Sequence, residues 1–148
     1  MGAAGEPPIV FTPGSAMYHG QDFFRASVEA CKQLNRRGIL LTRHAEQIPA
    51  DLPATIRHFS YAPFSLLLPR AAALVHHGGI GTSAQAMAAG CRQLITPFAH
   101  DQFDNADRLR RLGEGIWDFA SCLPATSRPF PGRITPLASP SPVIIARF

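Results

Sequence analysis

The stretch Ala72-Ala-Leu-Val-His-His-Gly-Gly-Ile-Gly-Thr-Ser-Ala-Gln-Ala-Met-Ala-Ala-Gly90 passes through three kinds of pattern in turn. Ala72 to His76 is a short apolar run of strand type, ended by a turn. His77 to Gly81 is rich in glycine, which lets the backbone bend sharply and approach another group closely. Thr82 to Ala89 is a small-residue segment of helical character, closed by Gly90. A strand feeding through a glycine turn into a helix is half of a crossover unit, the building block of parallel sheets.

Outward from this stretch the same alternation repeats. Upstream, Pro8 to Thr12 predicts a first strand, ended by Pro13-Gly14-Ser15. Between Asp22 and Arg36, residues Phe24, Val28, Cys31 and Asn35 recur at helical spacing, flanked by Phe23, Ser27 and Leu34. They predict an amphipathic helix that Gly38 stops. Ile39 to Thr42 and Ile56 to Ser60 predict two more strands, and Phe64 to Pro69 about one helical turn. Downstream, Gln93 to Thr96 predicts a fifth strand and Gln102 to Leu112 a helix closed by Gly113. The fold class is therefore α/β, a Rossmann-like doubly wound parallel sheet.

The chain has 148 residues, enough for one domain with a real core. Apolar residues make up 46% and charged residues 16%, a globular rather than disordered balance. The net charge of +4 is spread thinly; its densest cluster, Arg108, Arg110 and Arg111, has Asp104 and Asp107 among it. A nucleic-acid face needs cations that are not neutralised locally, so none is expected. Asp104 with Arg108 and Asp107 with Arg111 stand four apart and predict a solvated helix face. No window is long and apolar enough for a membrane span, and the start of the chain has no signal-peptide pattern. Cys31, Cys91 and Cys122 are odd in number and far apart, which excludes a disulfide framework. His19, His44, His58 and His100 show no metal-ligand spacing. A cytoplasmic protein is the expectation.

Residues 1–115 make up the predicted domain. From 116 to 148 the chain carries six prolines and neither period, so an irregular tail is expected. It is read either as a disordered extension or as a frame-shifted segment, with Val143 to Ala146 as a possible short strand.

The chemistry points to the join between strand and helix at His77. A helix N-terminus presents unpaired N–H groups and a partial positive charge, which suit a phosphate. Thr82 and Ser83 add hydroxyls, and His77 is a further donor. The pattern is neither Gly-x-Gly-x-x-Gly nor a P-loop with its lysine. A glycine turn needed only for packing remains the alternative on spacing alone. His76 points to the opposite side of its strand and reads as packed.

Three motifs together, His77-Gly-Gly-Ile-Gly-Thr82, Met87-Ala-Ala-Gly90 and Pro97-x-x-x-Asp101-Gln102-x-x-Asn105-Ala106, resemble the donor-sugar signature of family 1 nucleotide-sugar glycosyltransferases. The similar proteins are bacterial macrolide and antibiotic transferases, plant secondary-product enzymes and glucuronosyltransferases. The resemblance runs from about Ile9 to Gly115 and covers the C-terminal, donor-binding lobe of a GT-B fold. It implies that His77 contacts the diphosphate and that Gly79, Gly81 and Thr82 bind its phosphates. Gln85 would meet the ribose hydroxyls, where plant relatives carry glutamate. Asp101 and Gln102 would hold the sugar hydroxyls. Tyr61 would stack on the base, in place of the commoner tryptophan or phenylalanine, with the Ala62 backbone reading its edge. Gly14 and Ser15 match the loop that closes over the diphosphate. For Asp101, simply capping the helix that starts near Gln102 is the alternative reading, and the two roles are not exclusive.

The function so implied is donor binding for inverting, metal-independent hexosyl transfer from a UDP- or TDP-sugar to an acceptor hydroxyl, with no other cofactor. The family's catalytic base and acceptor pocket belong to the N-terminal lobe, so no residue of this chain is expected to be catalytic, and the chain alone is expected to be inactive. Two alternatives stay open. One is a related enzyme such as an epimerase or a lipid-linked N-acetylglucosaminyltransferase. The other is a non-catalytic, truncated or half-enzyme partner that binds nucleotide sugar or docks an acceptor lobe.

Overall fold

The apolar runs form five strands, all parallel to their neighbours, in the order β3-β2-β1-β4-β5. The strands are β1 (Ile9–Thr12), β2 (Gly38–Leu41), β3 (Ile56–Phe59), β4 (Ala73–His76) and β5 (Gln93–Ile95). The helices are α1 (Gln21–Leu34), α2 (Phe64–Leu67), α3 (Ile80–Ala88) and α4 (Gln102–Arg111). The computed structural model describes residues 5–14, 20–98 and 101–112. The expected irregular tail, Cys122 and Ser15 lie outside these residues.

Side-chain alternation along the strands builds two apolar layers, as a doubly wound sheet requires. Ile9, Phe11, Leu40, Ala73 and Val75 pack on one face with Phe23, Phe24, Val28 and Cys31 of α1. Val10, Leu41 and Leu74 pack on the other with Leu68, Ala86 and Cys91. Phe23 anchors the first layer through edge contacts, with centroids 5.3 Å from Phe24 and 5.9 Å from Phe98. Fully burying one such ring stabilises the fold by about 2–3 kcal/mol. Cys31 and Cys91 are free and buried, and desolvation pushes the Cys31 thiol up to about 11.

Strand ends shift by a single residue from the sequence expectation, and three larger differences concern the helices. Helix α1 is stopped by Asn35, not Gly38: Asn35 adopts the left-handed conformation at φ 50° and ψ 44°. Asparagine tolerates that region, so it closes the helix instead of extending its apolar stripe. Gly38 begins β2, where a Cβ would stand 2.9 Å from Cys31 Sγ. Helix α3 begins at Ile80, two residues before Thr82, with Gly79 at its N-cap. The turn expected at Phe64 to Pro69 splits into α2 and a 3-10 turn, Leu68–Arg70. Pro69 has no N–H to continue the α-helical ladder.

Candidate functional site

The strand order reverses at β1. From it the chain winds outward through β2 to β3, then crosses back to place β4 on the other side of β1. Helix α1, next after β1, packs on one face of the sheet and α3, next after β4, on the other, and open α/β sheets bind ligands in the crevice at such a switch point. Gly14 and the glycine-rich turn at His77 both lie here. Gly14 follows β1 with φ +93°, its N–H donating to Thr12 Oγ1 at 3.4 Å. His77 follows β4.

The His77 ring lies between Gly14 and Gly79. A Cβ on Gly14 would stand 2.8 Å from His77 Cε1, and one on Gly79 would collide with His77 Nε2. These two glycines hold open the space the imidazole occupies. His77 Nδ1 is buried and has no hydrogen-bond partner among the described residues. Desolvation pushes the His77 pKa below its usual value, and the Asp101 carboxylate pulls it partly back.

Next to this ring is the start of α3. Among the described residues no side chain caps its N-terminus, and the first bond back into the turn is Ser83 N–H to the Gly79 carbonyl at 2.9 Å. The preceding N–H groups have no partner within the helix. Thr82 is half-buried there, while Gly81 has no atom within 4 Å of where a Cβ would be. Gln85 is exposed, its Nε2 donating to the Gly81 carbonyl at 3.4 Å.

Helix α4 closes the other side. Gly78, at φ +90°, packs so tightly that a Cβ would lie 2.8 Å from Ile95 Cγ2 and 3.1 Å from the Gln102 carbonyl oxygen. Asp101 occupies the N-cap position of α4, but in helical backbone geometry and with no side-chain capping bond. Its Oδ2 instead accepts from Asn105 Nδ2 at 3.1 Å. Gln102 turns its Oε1 back to accept the Phe98 N–H at 2.8 Å, which braces the chain between β5 and α4.

Gly14, His77, Gly79 and Asp101 thus meet around one crevice, with Gly81, Thr82 and Gln85 on the first turns of the adjoining helix. Tyr61 and Ala62 do not join that cluster: they follow β3, which β2 and β1 separate from β4. Tyr61 is 70% exposed, with its ring open to solvent. Ala62 packs against the second apolar layer. The exposed face of α4 pairs Asp107 with Arg110 at 2.8 Å and Arg111 at 2.7 Å, and no ion pair joins Asp104 to Arg108. Among the described residues no group of three or more His, Cys, Asp or Glu side chains could hold a metal ion.

Two contributors were not among the expected site residues: His76, read as packed and found so, and Asn105, which stood in a motif without a role. His76 is fully buried; its Nδ1 accepts the Gly78 N–H at 3.1 Å, so Nε2 carries the proton and donates to Gln93 Oε1 at 2.9 Å. Desolvation pushes its pKa down to about 4, with the Gln93 hydrogen bond opposing and His77 adding to the shift. Asn105, 7% exposed, is the other. Its signal was a polar side chain four residues before Leu109, on the buried stripe of α4.

A family model of the erythromycin biosynthesis protein CIII-like C-terminal domain matches residues 31–127. The chain belongs to this family. Among relatives of this CIII-like domain, the O-mycaminosyltylonolide 6-deoxyallosyltransferase of Streptomyces fradiae is 39% identical over 113 residues, covering 75% of this chain and 26% of its own. The chain thus spans about a quarter of that relative's length. The crystal structure of the glycotransferase of kitacinnamycin matches with a TM-score of 0.69 at 26% identity, over 78% of this chain and 31% of that one. The spinosyn rhamnosyltransferase SpnG, complexed with thymidine diphosphate, matches with a TM-score of 0.66 at 27% identity, over 75% and 31%. The five-stranded sheet accordingly belongs to the C-terminal half of a GT-B glycosyltransferase architecture. Among the described residues no helix is long and apolar enough to cross a membrane.

Proposed function

We propose that the crevice between β1 and β4 binds the diphosphate of a UDP- or TDP-sugar, as the donor site of an inverting hexosyltransferase. The observation that carries this reading is the His77 ring, set between two glycines beside the start of α3, with a buried Nδ1 that has no partner among the described residues. A buried polar atom without a partner is costly, and an anionic oxygen would satisfy it. The helix N–H groups and the Thr82 hydroxyl supply further donors at the same end. The thymidine diphosphate in the structure of the spinosyn relative supports the same ligand class.

In this reading the charge that develops on the departing diphosphate is met by preorganised N–H dipoles and by His77, without a metal. Asp101 accepts from the sugar hydroxyls, and Gln102, by bracing the chain at Phe98, sets where Asp101 stands. Gln85 takes the ribose. Tyr61 and Ala62 take the base; they stand three strand spacings from β4, about 14 Å, a distance that only an extended ligand laid across the carboxyl ends would bridge. Gly14 takes the start of the loop over the phosphates; Ser15, which the resemblance also assigns to it, lies outside the described residues.

Transfer also needs a base for the acceptor hydroxyl. Among the described histidines, His76 is locked inside, His77 faces the phosphates, His44 pairs with Glu46, and His58 bonds the Thr42 carbonyl. The base and the acceptor pocket are assigned to the remainder of a full-length enzyme, so residues 1–148 are expected to bind donor without turning it over. The buried free thiols fit a reducing, cytoplasmic setting. Calorimetric titration of residues 1–148 with UDP and TDP tests the reading. Saturable binding without added metal is expected; a folded protein that binds neither nucleotide would overturn it.

A further inference from the structure

Gly78 is held from both sides by buried side chains of different elements. Its N–H donates to His76 Nδ1 at 3.1 Å, on β4, and its carbonyl accepts from Asn105 Nδ2 at 3.0 Å, on α4. Its left-handed φ of +90° is one that a side chain would resist, and Ile95 and the Gln102 carbonyl leave no room for one. The peptide units flanking Gly78 are therefore over-determined, and one of them is the peptide that leads out of His77.

Neither of the holding side chains is loose. His76 is oriented by its Nε2 bond to Gln93 on β5, and its carbonyl accepts both the Thr96 N–H at 2.8 Å and the Thr96 hydroxyl at 3.3 Å. Asn105 divides its amide hydrogens between the Gly78 carbonyl and Asp101 Oδ2. One amide thus links the backbone beside His77 to the carboxylate of Asp101, 24 positions later in the chain, counting from 77 to 101.

We infer that His76 and Asn105 are positioning residues of the diphosphate site: they clamp Gly78 from its two sides and thereby aim His77 and Asp101 at the bound nucleotide sugar. This rests on the function proposed above. It goes beyond packing, because packing would be indifferent to which nitrogen of His76 is kept, whereas positioning depends on the bond to Gly78.

The test compares two substitutions of similar polarity in the full chain. His76→Asn places an amide oxygen where Nδ1 stands and keeps an acceptor for the Gly78 N–H. His76→Gln reaches instead to the place of Nε2 and keeps a partner for Gln93. TDP affinity of His76→Asn is expected within about threefold of the parent, and that of His76→Gln weakened about tenfold, the range for loss of one buried hydrogen bond. In the unliganded proteins the Gly78 amide should stay protected from hydrogen exchange in the parent and in His76→Asn, and lose protection in His76→Gln. Asn105→Ser removes the other clamp from α4 without touching the sheet and should also weaken TDP about tenfold. Equal TDP affinities for the two His76 variants, or affinities that simply follow the melting temperatures, would overturn the inference while leaving the donor site in place. A parent protein that is folded but binds neither TDP nor UDP would overturn the donor-site reading itself.

Discussion

On the β5 side of β4, His76 has both ring nitrogens engaged and no exposed surface. On the β1 side, His77 keeps a buried nitrogen with no partner among the described residues, and its ring is bordered by glycines. The two rings are 6.1 Å apart and nearly perpendicular. Burial lowers the pKa of both, but for His76 the hydrogen-bond capacity is spent inside the fold, and for His77 some is left over. Unused polar capacity inside a fold costs stability, and its persistence at His77 beside the start of α3 is what the donor site proposed above would use. The satisfied neighbour holds the frame that the unsatisfied one uses.

The contrast can be broken most forcefully with acid. Unfolded, His76 takes a proton near the usual 6.5; folded, it resists until about 4. Above pH 6.5 it is neutral in both states and its contribution to stability is complete. As pH falls from 6.5 to 4 the unfolded state alone gains the proton, and about 3 kcal/mol should be lost. His77, shifted in the same direction, adds to the loss. Urea unfolding at pH 7, 5 and 4 should show a shallower decline in His76→Asn than in the parent; equal declines would mean that His76 is not the buried neutral group described.

His77→Ala should do the opposite, sparing stability and removing binding. Losing charge-assisted bonds to a diphosphate costs about 2 kcal/mol of TDP affinity, read by calorimetry beside a melting curve. A variant that melts earlier yet binds as before would exchange the roles assigned to the two histidines.

Gly14→Ala sharpens the comparison from the β1 side. The substitution meets both a φ of +93° and the His77 ring 2.8 Å away. A stability loss of about 1–2 kcal/mol is expected together with weaker TDP binding. The smallest effect is expected at Gly81→Ala, where the folded chain leaves open space. Alanine in the first turn of α3 should raise stability by about 0.5 kcal/mol. Weaker TDP binding by that more stable variant would locate the ligand directly above Gly81; unchanged binding would move the phosphates away from it.

Much of this was legible beforehand because strands and helices leave periodic traces. The five strands and the stripe of Phe24, Val28 and Cys31 could be read that way, and the turn at His77 stood out by its glycines. What was not legible depended on competing local choices or distant partners. Asn35 and Gly38 are both plausible helix stops; Asn35 takes the left-handed conformation that ends α1, and Gly38 is left to begin β2 close against Cys31 Sγ. Asp101 stands where a cap would, but Asn105 offers it a buried amide and takes the carboxylate.

The amino-acid sequence by itself determined the kind of element at each position, since backbone preference and apolar spacing act over a few residues. It also determined that a glycine turn leads from β4 into α3 with a histidine at its start. Only the tertiary structure decided that β4 lies beside β1, and so that Gly14 meets a ring 63 positions away in the chain, counting from 14 to 77. It alone decided which nitrogen of His76 bears the proton, because the Gly78 amide and Gln93 approach the ring from different elements. Strand order and tautomer are both set by contacts between distant segments, and such contacts leave no period in the chain.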